Sequence, residues 1–282
     1  MIVTVIGTGL IGGSMALSLK EKGFASRIIG VDNNTGHLIK AMELGIIDEV
    51  ATLKTGIRDA GLIILAIPVD AGVSMLPGIL DGLSGGRQVV MDVGSTKANI
   101  LAAVREHPLR GRFVATHPMW GTEFSGPEAA EHGGFAGRSA VICDREQVDP
   151  DALELVEKVY DALEMRKVYM DAVSHDIHAA YVSHISHITS FALANTVLEK
   201  EKEEDAIFTL ASGGFESTVR LAKSNPSMWV PIFRQNRENV LDVLNEHISQ
   251  LRKFKSCLEK ENYEYLWELI EQAGEIRRVL NK

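Results

Sequence analysis

The sequence predicts an α/β domain followed by an all-helical domain, and two observations support this prediction. Up to residue 171, short apolar segments of strand length alternate with longer segments whose apolar residues recur at helical spacing. This alternation is typical of a sheet with helical crossovers. From residue 173 onward the pattern is helical and shows no convincing strand. We therefore expect one domain over residues 1–171 and a second, helical domain over residues 172–282.

The predicted strands of the first domain are short, apolar and rich in β-branched residues, as is typical of strands buried on both faces of a parallel sheet. They lie at residues 1–6, 28–31, 61–68, 87–94, 112–118, 139–144 and 166–170. Helical patterns separate most of them, including an amphipathic segment at 149–165. We therefore expect a parallel sheet with right-handed crossovers.

Three helical segments make up the predicted second domain. They cover residues 173–199, 229–258 and 263–280, and the second has near-heptad apolar spacing. The charged run at 199–205 is interpreted as a solvated helix end. Long helices with such a seam commonly bury it against a second copy, so we expect a homodimer.

The composition is that of an ordinary globular protein. Of the 282 residues, 45% are apolar and 24% are charged. The formal net charge of −9 argues against a nucleic-acid partner and against an anionic membrane surface, because both attract basic proteins. The longest apolar run, residues 62–69, is too short to cross a bilayer.

A cytoplasmic location is expected on two grounds. The apolar start of the chain has no preceding basic region of the kind that secretion signals carry. The two cysteines, Cys143 and Cys257, match no metal or redox spacing, so we interpret them as small apolar residues in a reducing compartment.

A glycine motif follows the first predicted strand and opens a helical pattern. Gly7, Gly9 and Gly12 have the G-x-G-x-x-G spacing, which suits a tight turn, close approach of a pyrophosphate and close helix–strand packing. Asp32 ends the second strand twenty residues after Gly12, the distance expected for a carboxylate that binds a ribose hydroxyl. The motif predicts a Rossmann-type dinucleotide-binding domain. The turn residues expected to contact the cofactor are Gly7, Thr8, Gly9, Leu10, Ile11 and Gly12.

Asp32 also predicts which dinucleotide binds. A carboxylate accepts hydrogen bonds from a ribose 2′-hydroxyl and repels a 2′-phosphate, and Asn33 and Asn34 follow it with no arginine there. This favours NAD over NADP. FAD, or a glycine turn in another α/β fold, are the alternatives.

Further candidate residues follow other predicted strands. In an open parallel sheet, ligands bind outside the carboxyl ends of the strands. Pro68 and Ser95 lie at two such ends and are expected to face the cofactor, although they could also simply end their strands. The expected contacts of these segments are Ala66, Pro68, Val69 and Ser95.

His117 ends the strand predicted at 112–118, next to the same crevice. Imidazole titrates near neutral pH, so this position predicts a general acid or base. The loop that follows carries Trp120, Thr122 and Glu123.

A histidine cluster begins the second domain. On a straight helix at about 100° per residue, His175 and His178 point away from His184 and His187. One ion could not reach all four, so we expect no metal site. One pair is expected to face the crevice and the other to face away.

Arg220 lies in a predominantly apolar helical turn. Its planar fork of donors suits a carboxylate, which could belong to a substrate or to an ion pair within the protein.

Five segments in order resemble the prephenate/arogenate dehydrogenase family of tyrosine biosynthesis. They are GTGLIGGS, DVGSTK (92–97), THPMWGTE (116–123), YVSHISH (181–187) and VRLAKSNPSMW (219–229). The resemblance covers essentially the whole chain. It implies an NAD-dependent oxidative decarboxylation of prephenate to 4-hydroxyphenylpyruvate, or of L-arogenate to tyrosine, in which hydride leaves ring C4 and carbon dioxide leaves C1.

The resemblance also implies roles for individual residues. His117 would accept a hydrogen bond from the substrate 4-hydroxyl and Ser95 would orient this pair, while Arg220 would bind the ring carboxylate. Glu123 would belong to an ionic network that gates the pocket. The remaining expected substrate contacts are Thr122, Ser183, His184, His187 and Trp229.

Three features depart from the family pattern. Ser217 stands where members often carry Asp in the gating network, so that network must differ. Trp120 stands where Ala is frequent, and it could line the pocket or pack the loop. The length leaves no room for the regulatory or chorismate mutase domains that members can carry, so we expect any tyrosine feedback to act through the active site.

Two other classes remain as alternatives. One is a different two-domain reductase, such as a β-hydroxyacid dehydrogenase or a pyrroline-carboxylate reductase relative. The first of these would carry a lysine on the second domain's long helix, whereas residues 173–198 contain four histidines and no lysine. The other class is a non-catalytic, dimeric NAD-binding regulator.

Overall fold

The computed structural model describes residues 1–202 and 207–280. The charged run predicted at 199–205 therefore lies partly outside the described residues. The chain falls into two compact units, Met1–Asn236 and Arg237–Lys282.

An eight-stranded sheet organises the first unit. Its strands are β1 (Ile2–Ile6), β2 (Arg27–Val31), β3 (Glu49–Val50), β4 (Leu62–Leu65), β5 (Val89–Asp92), β6 (Phe113–Pro118), β7 (Ser139–Cys143) and β8 (Arg166–Met170). The spatial order is β3-β2-β1-β4-β5-β6-β7-β8. Seven of these strands match the predicted segments, and the two-residue β3 was not predicted.

The expectation of a parallel sheet is right for β1 to β6 and wrong for the step from β6 to β7. Strand β7 pairs antiparallel with β6, with His117 opposite Val141, and β8 then runs parallel to β7. The connection between β6 and β7, residues 119–138, is fully described and contains a short 3₁₀ turn at Pro127–Ala129 in place of a crossover helix. A parallel pair needs a crossover connection, so the chain returns in the opposite direction.

Helices cover both faces of this sheet. They are α1 (Leu10–Glu21), α2 (Thr35–Glu43), α3 (Leu53–Asp59), α4 (Val69–Asp81), α5 (Ala98–Ala103) and α6 (Pro150–Ala162). Strand β4 shows why the strands read as unbroken apolar runs. Leu62 and Ile64 pack into the core on one face, and Ile63 and Leu65 into the core on the other.

The helix predicted at 173–199 is interrupted. It consists of α7 (Ala172–Ala179), a π-helical turn at Ala180–His184, and α8 (Ile185–Glu201). Asp171 caps α7 by accepting the Ser174 backbone N–H at 2.8 Å. The π turn holds an extra residue within the helix, so it changes the direction of every side chain that follows.

Two shorter helices complete the first unit. Helix α9 (Gly213–Val219) continues into a 3₁₀ turn at Arg220–Lys223, and α10 runs over Pro226–Gln235. Asn225 caps α10 by accepting the Ser227 N–H at 2.9 Å. The segment predicted as one helical pattern at 229–258 breaks at Asn236, where α10 ends.

The second unit consists of α11 (Arg237–Glu259), α12 (Tyr263–Ala273), a 3₁₀ turn and α13 (Arg277–Leu280). Asn262 caps α12 by accepting the Tyr265 N–H at 3.1 Å. Several large apolar side chains of this unit are exposed, namely Leu241, Leu251, Leu258, Trp267, Ile270 and Leu280. Within the described ranges, no helix is both long and apolar enough to cross a membrane.

Candidate active site

The glycine turn between β1 and α1 has room for a ligand and none for side chains. Gly7 has φ of +96°, and a Cβ there would overlap the Ala66 carbonyl oxygen. A Cβ on Gly12 would overlap the carbonyl oxygen of Gly7. The space in front of Gly9 is open. Only a turn of glycines lets α1 start this close to the sheet.

The first turn of α1 suits a phosphate. Among the described side chains, none caps this helix, and its first turn contains no acidic residue. The backbone N–H groups there are therefore available to an anion, and the helix dipole favours negative charge.

Asp32 stands next to this turn. One of its oxygens accepts the Thr8 backbone N–H at 2.9 Å, and the other accepts the Asn34 N–H at 2.9 Å. A carboxylate has about four acceptor positions, so capacity remains for ribose hydroxyls. The open turn, the free helix terminus and this carboxylate together fit a dinucleotide.

Other predicted cofactor residues lie at neighbouring strand ends. Ala66 directly follows β4, and its N–H donates to the Ile6 carbonyl at 2.7 Å. Pro68 precedes α4, and Val69 packs in a small apolar cluster with Trp229. Ser95 is half-buried between β5 and α5. It makes no hydrogen bond to His117 in the described part of the chain, and its orienting role stays a prediction.

His117 is buried at the end of β6, with 8% of its surface exposed. Its Nδ1 lies 2.9 Å from Nε2 of His175, and Nδ1 of His175 lies 2.8 Å from a carboxylate oxygen of Asp176. Asp176 also accepts the backbone N–H groups of Lys97, at 2.8 Å, and of Ala98, at 2.9 Å. A hydrogen-bonded chain thus joins β6 to α7 and to the start of α5.

His117 is neutral in this environment. Burial holds the pKa of its imidazole well below the ordinary value of 6.5, and the nearby His175, Lys97 and His184 lower it further. A neutral imidazole can accept a hydrogen bond or a proton, as a general base must.

A buried ion pair braces the end of β5 beside it. Lys97 and Asp92 form a salt bridge with 0% and 2% of their side chains exposed. Asp92 also accepts the backbone N–H of Thr116, the residue before His117, at 3.1 Å. A buried charge pair costs desolvation energy, but it holds the two strand ends in one register.

The four histidines do not divide into the two predicted pairs. His175 and His184 are both buried, His187 is partly buried, and His178 is exposed. The prediction assumed a uniform helix, and the π turn at Ala180–His184 shifts the phase between the pairs. In the described residues, no group of three or more His, Cys, Asp or Glu side chains could hold a metal ion.

Trp229 on α10, His184 at the end of the π turn and His187 on α8 form an aromatic wall. The ring of His187 stacks on Trp229 with centroids 3.5 Å apart, and the ring of His184 meets it edge-on at 5.9 Å. Nδ1 of His187 donates to the Ser183 carbonyl at 3.1 Å. Burial lowers the pKa of His187 and lowers that of His184 to about 4, so both rings are neutral.

Two donors of this wall are buried with no partner among the described residues, namely Nε2 of His184 and Nε1 of Trp229. The Asn236 side-chain amide faces Nδ1 of His184 at 3.2 Å and donates to it, which places the His184 proton on Nε2. Buried donors in native proteins are nearly always paired, so this wall has unused capacity for a polar ligand.

Arg220 and Glu123 form an ion pair at 2.5 Å. About half of the Arg220 side chain is exposed (49%), against 11% for Glu123. A hydrogen bond from its own backbone N–H and the Arg220 charge lower the pKa of Glu123. Ser217 donates to the Gly214 carbonyl within its own helix at 3.0 Å, so here Glu123 pairs with Arg220 directly.

Thr122 and Trp120 shape the loop that follows β6. The hydroxyl of Thr122 accepts the Phe124 N–H at 3.3 Å. Trp120 packs edge-on against Phe135, with centroids 4.7 Å apart, and lies against the backbone of Gly134. Trp120 therefore packs the loop onto the core.

Sequence reasoning missed Asp92, Lys97, Asp176 and Asn236. All four are buried polar residues. The available signal was a charged residue at a strand end, as for Asp92, or beside a histidine, as for Asp176. A charge at such a position needs a partner if it is buried. Their partners come from distant parts of the chain, which the sequence pattern does not reveal.

Family models match nearly the whole chain. One described as the prephenate dehydrogenase nucleotide-binding domain matches residues 15–169. Another, described as the prephenate dehydrogenase dimerization domain, matches residues 171–272.

Individual relatives agree with these matches. Prephenate dehydrogenase of Bacillus subtilis is 31% identical over 98% of this chain and 75% of the relative. The crystal structure of Aquifex aeolicus prephenate dehydrogenase, in complex with hydroxyphenyl propionate and NAD+, is 32% identical, with a TM-score of 0.87 over 100% of this chain and 98% of that one. Synechocystis arogenate dehydrogenase is 28% identical, with a TM-score of 0.76 over 99% of both chains.

Proposed function

The chain belongs to the prephenate dehydrogenase family, and on this premise we propose that it catalyses the NAD-dependent oxidative decarboxylation of prephenate or L-arogenate. The observation that carries the proposal is the neutral, buried His117 at the carboxyl end of β6. Neither the other two-domain reductases nor a non-catalytic regulator is favoured by these relatives.

In this reaction His117 acts on the substrate 4-hydroxyl. It accepts the hydroxyl proton as hydride leaves C4. The electron pair of the O–H bond then forms the carbonyl at C4. Loss of carbon dioxide from C1 returns an electron pair to the ring, which becomes aromatic, and the proton returns to the oxygen. When bound, NAD+ supplies the acceptor for the hydride.

Arg220 binds the ring carboxylate in this proposal. Its guanidinium is half-exposed and already oriented by Glu123. A second carboxylate can share the fork of donors, because five N–H groups are available and Glu123 uses one in the described contact.

In this proposal the aromatic wall of Trp229, His184 and His187 binds the substrate side chain, together with Ser183 and Thr122. The unused donors of His184 and Trp229 support this role, because the side-chain end of both substrates carries a carboxylate. Neutral rings also keep the wall apolar enough to hold a six-membered ring.

The glycine turn and Asp32 are the residues that would hold NAD+. Backbone N–H groups at the start of α1 would bind the pyrophosphate, and Asp32 would bind the adenosine ribose. Ala66, Pro68, Val69 and Ser95 would contact the cofactor at the ends of the next strands. We also propose the division into a cofactor-binding domain at 1–171 and a helical domain at 172–282.

A homodimer formed by the helical domain is a further part of the proposal. The match to a dimerization domain and the exposed apolar side chains of α11 to α13 support it. Multi-angle light scattering should give twice the mass of one chain, and Trp267→Glu, at a 72% exposed side chain, should shift the mass toward one chain.

A cytoplasmic location is also proposed, with the two unpaired, buried cysteines as support.

The decisive experiment is an assay of the purified protein with prephenate and with L-arogenate, each with NAD+ and with NADP+. Formation of reduced nicotinamide together with the aromatic product is expected with at least one substrate and NAD+. Failure with both substrates would exclude the proposed function.

A further inference from the structure

We infer that His175 and Asp176 hold His117 in the tautomer whose Nε2 is free to act as the base. This positioning role rests on the proposed function, in which His117 takes the hydroxyl proton. His175 and Asp176 do not have to touch the substrate, because they act through His117.

The direction of each hydrogen bond follows from the carboxylate. Asp176 can only accept, so Nδ1 of His175 carries a proton and donates to it. When Nδ1 carries the only ring proton of His175, its Nε2 is an acceptor. Nδ1 of His117, 2.9 Å away, must donate to it. Nε2 of His117 is left with a lone pair.

The opposite tautomer of His117 does not fit beside a His175 ring whose only proton is on Nδ1. With the proton on Nε2 of His117, Nδ1 would oppose the lone pair of His175 and the bond would be lost. Both rings are buried, with 8% of His117 and 2% of His175 exposed. Water therefore has little access to replace the lost bond.

Asp176 is itself fixed by the backbone. It accepts N–H groups of Lys97 and Ala98, one on each carboxylate oxygen. Its own carbonyl accepts the Asn236 side-chain amide at 2.7 Å. The Asp176 carboxylate therefore cannot turn away from His175. Its position fixes which nitrogen donates in each hydrogen bond between Asp176, His175 and His117.

Substitutions can remove or reverse this polarity. His175→Leu removes the acceptor for His117. In His175→Gln the amide oxygen can reach the place of Nε2 and accept, so this variant should retain the tautomer. Asp176→Asn can present an amide N–H to His175 and so reverse both hydrogen bonds. His178→Leu, on the same helix at an exposed position, is the matched control.

The kinetic expectation separates positioning from folding. His175→Leu and Asp176→Asn should lower kcat about tenfold to a hundredfold, with KM for NAD+ changed less than about twofold. His175→Gln should recover most of the loss, and His178→Leu should match the wild type. Equal losses in the Leu and Gln variants would overturn the inference.

A spectroscopic measurement tests the tautomer without substrate. In protein labelled with ¹⁵N-histidine, the two ring nitrogens of neutral His117 differ in chemical shift according to which carries the proton, and His117→Asn identifies its signals. The wild type should carry the proton on Nδ1, and Asp176→Asn should move it toward Nε2. A wild-type proton on Nε2 would overturn the inference even if the variants do not fold. If the tautomer is as inferred but neither substrate is oxidised, the proposed function fails and the positioning stands.

Discussion

The Arg220 guanidinium donates a hydrogen bond to the Glu123 carboxylate at 2.5 Å, across 97 residues of chain. This contact joins the loop after β6 to the 3₁₀ turn after α9. It orients the Arg220 guanidinium against the chain's own carboxylate. In the proposed function, the substrate's ring carboxylate would therefore meet a guanidinium that is already oriented.

Arg220→Gln should raise KM for the substrate at least about tenfold, because the guanidinium charge and its paired N–H donors are lost. KM for NAD+ should change little. Steady-state kinetics with each ligand varied in turn measures both constants. Lys223→Gln, which removes an exposed charge of the same turn, is the control. Equal increases for substrate and NAD+ would indicate a structural role for Arg220.

His117→Asn should lower kcat at least about a hundredfold while KM for the substrate stays similar, because the amide keeps the volume but is a far weaker base. Stopped-flow formation of reduced nicotinamide would show whether the chemical step itself is slowed. An unchanged kcat would remove His117 from the mechanism.

NAD+ should be preferred over NADP+ by at least about tenfold in kcat/KM, because the Asp32 carboxylate repels a 2′-phosphate. Asp32→Asn should reduce this preference, as the charge is removed and the side-chain volume is kept. A wild-type preference for NADP+ would contradict the assignment of Asp32.

Stability should fall as pH decreases below about 6.5, the ordinary pKa of imidazole. Burial lowers the folded-state pKa of His117, His184 and His187, so the unfolded chain binds more protons than the folded one in this range. The stabilisation is fully present above the pKa of the unfolded chain. It is lost as pH falls toward the folded-state pKa values, and for His184 this value is about 4. Urea midpoints across this pH range measure the slope. His184→Gln should reduce it, and an equal slope in the variant would exclude His184 as a contributor.

Trp120→Ala should destabilise the protein by about 3 kcal/mol, as for other large aromatic side chains truncated in a packed cluster. Gly134→Ala should also destabilise it, because the added Cβ meets the Trp120 ring. In the Trp120→Ala background, Gly134→Ala should lower the free energy of unfolding by less than it does alone, because the ring that obstructs the added methyl group is gone. Denaturant unfolding of the four proteins provides the cycle, and simple additivity would show that the two positions do not interact.

Local pattern predicted much of this fold. The cofactor turn was visible because Gly7, Gly9 and Gly12 lie at a fixed spacing within one short segment. Side chains at Gly7 and Gly12 would overlap backbone, and Gly9 leaves open space for a ligand. The seven longer strands were visible because burial on both faces leaves an unbroken apolar run. His117 could be selected from position alone, since carboxyl ends of parallel strands face the crevice.

The missed features depend on contacts between distant segments. Nothing near His175 in the sequence reveals that β6 brings His117 to it. The antiparallel direction of β7 depends on a long connection that forms no helix. The π turn at Ala180–His184 has no local sequence signal that distinguishes it from an ordinary helical turn, so a uniform helical wheel gave the wrong faces for the histidines.

That π turn also constrains how the segment can change over evolutionary time. Substitutions at its exposed positions, such as Val182, leave the helix path intact. Loss or gain of one residue would rotate everything after it by about 100° and carry His187 away from Trp229. The length of this segment is therefore constrained as well as the identity of its histidines, and insertions and deletions should be absent between His175 and His187 in functional descendants of this chain.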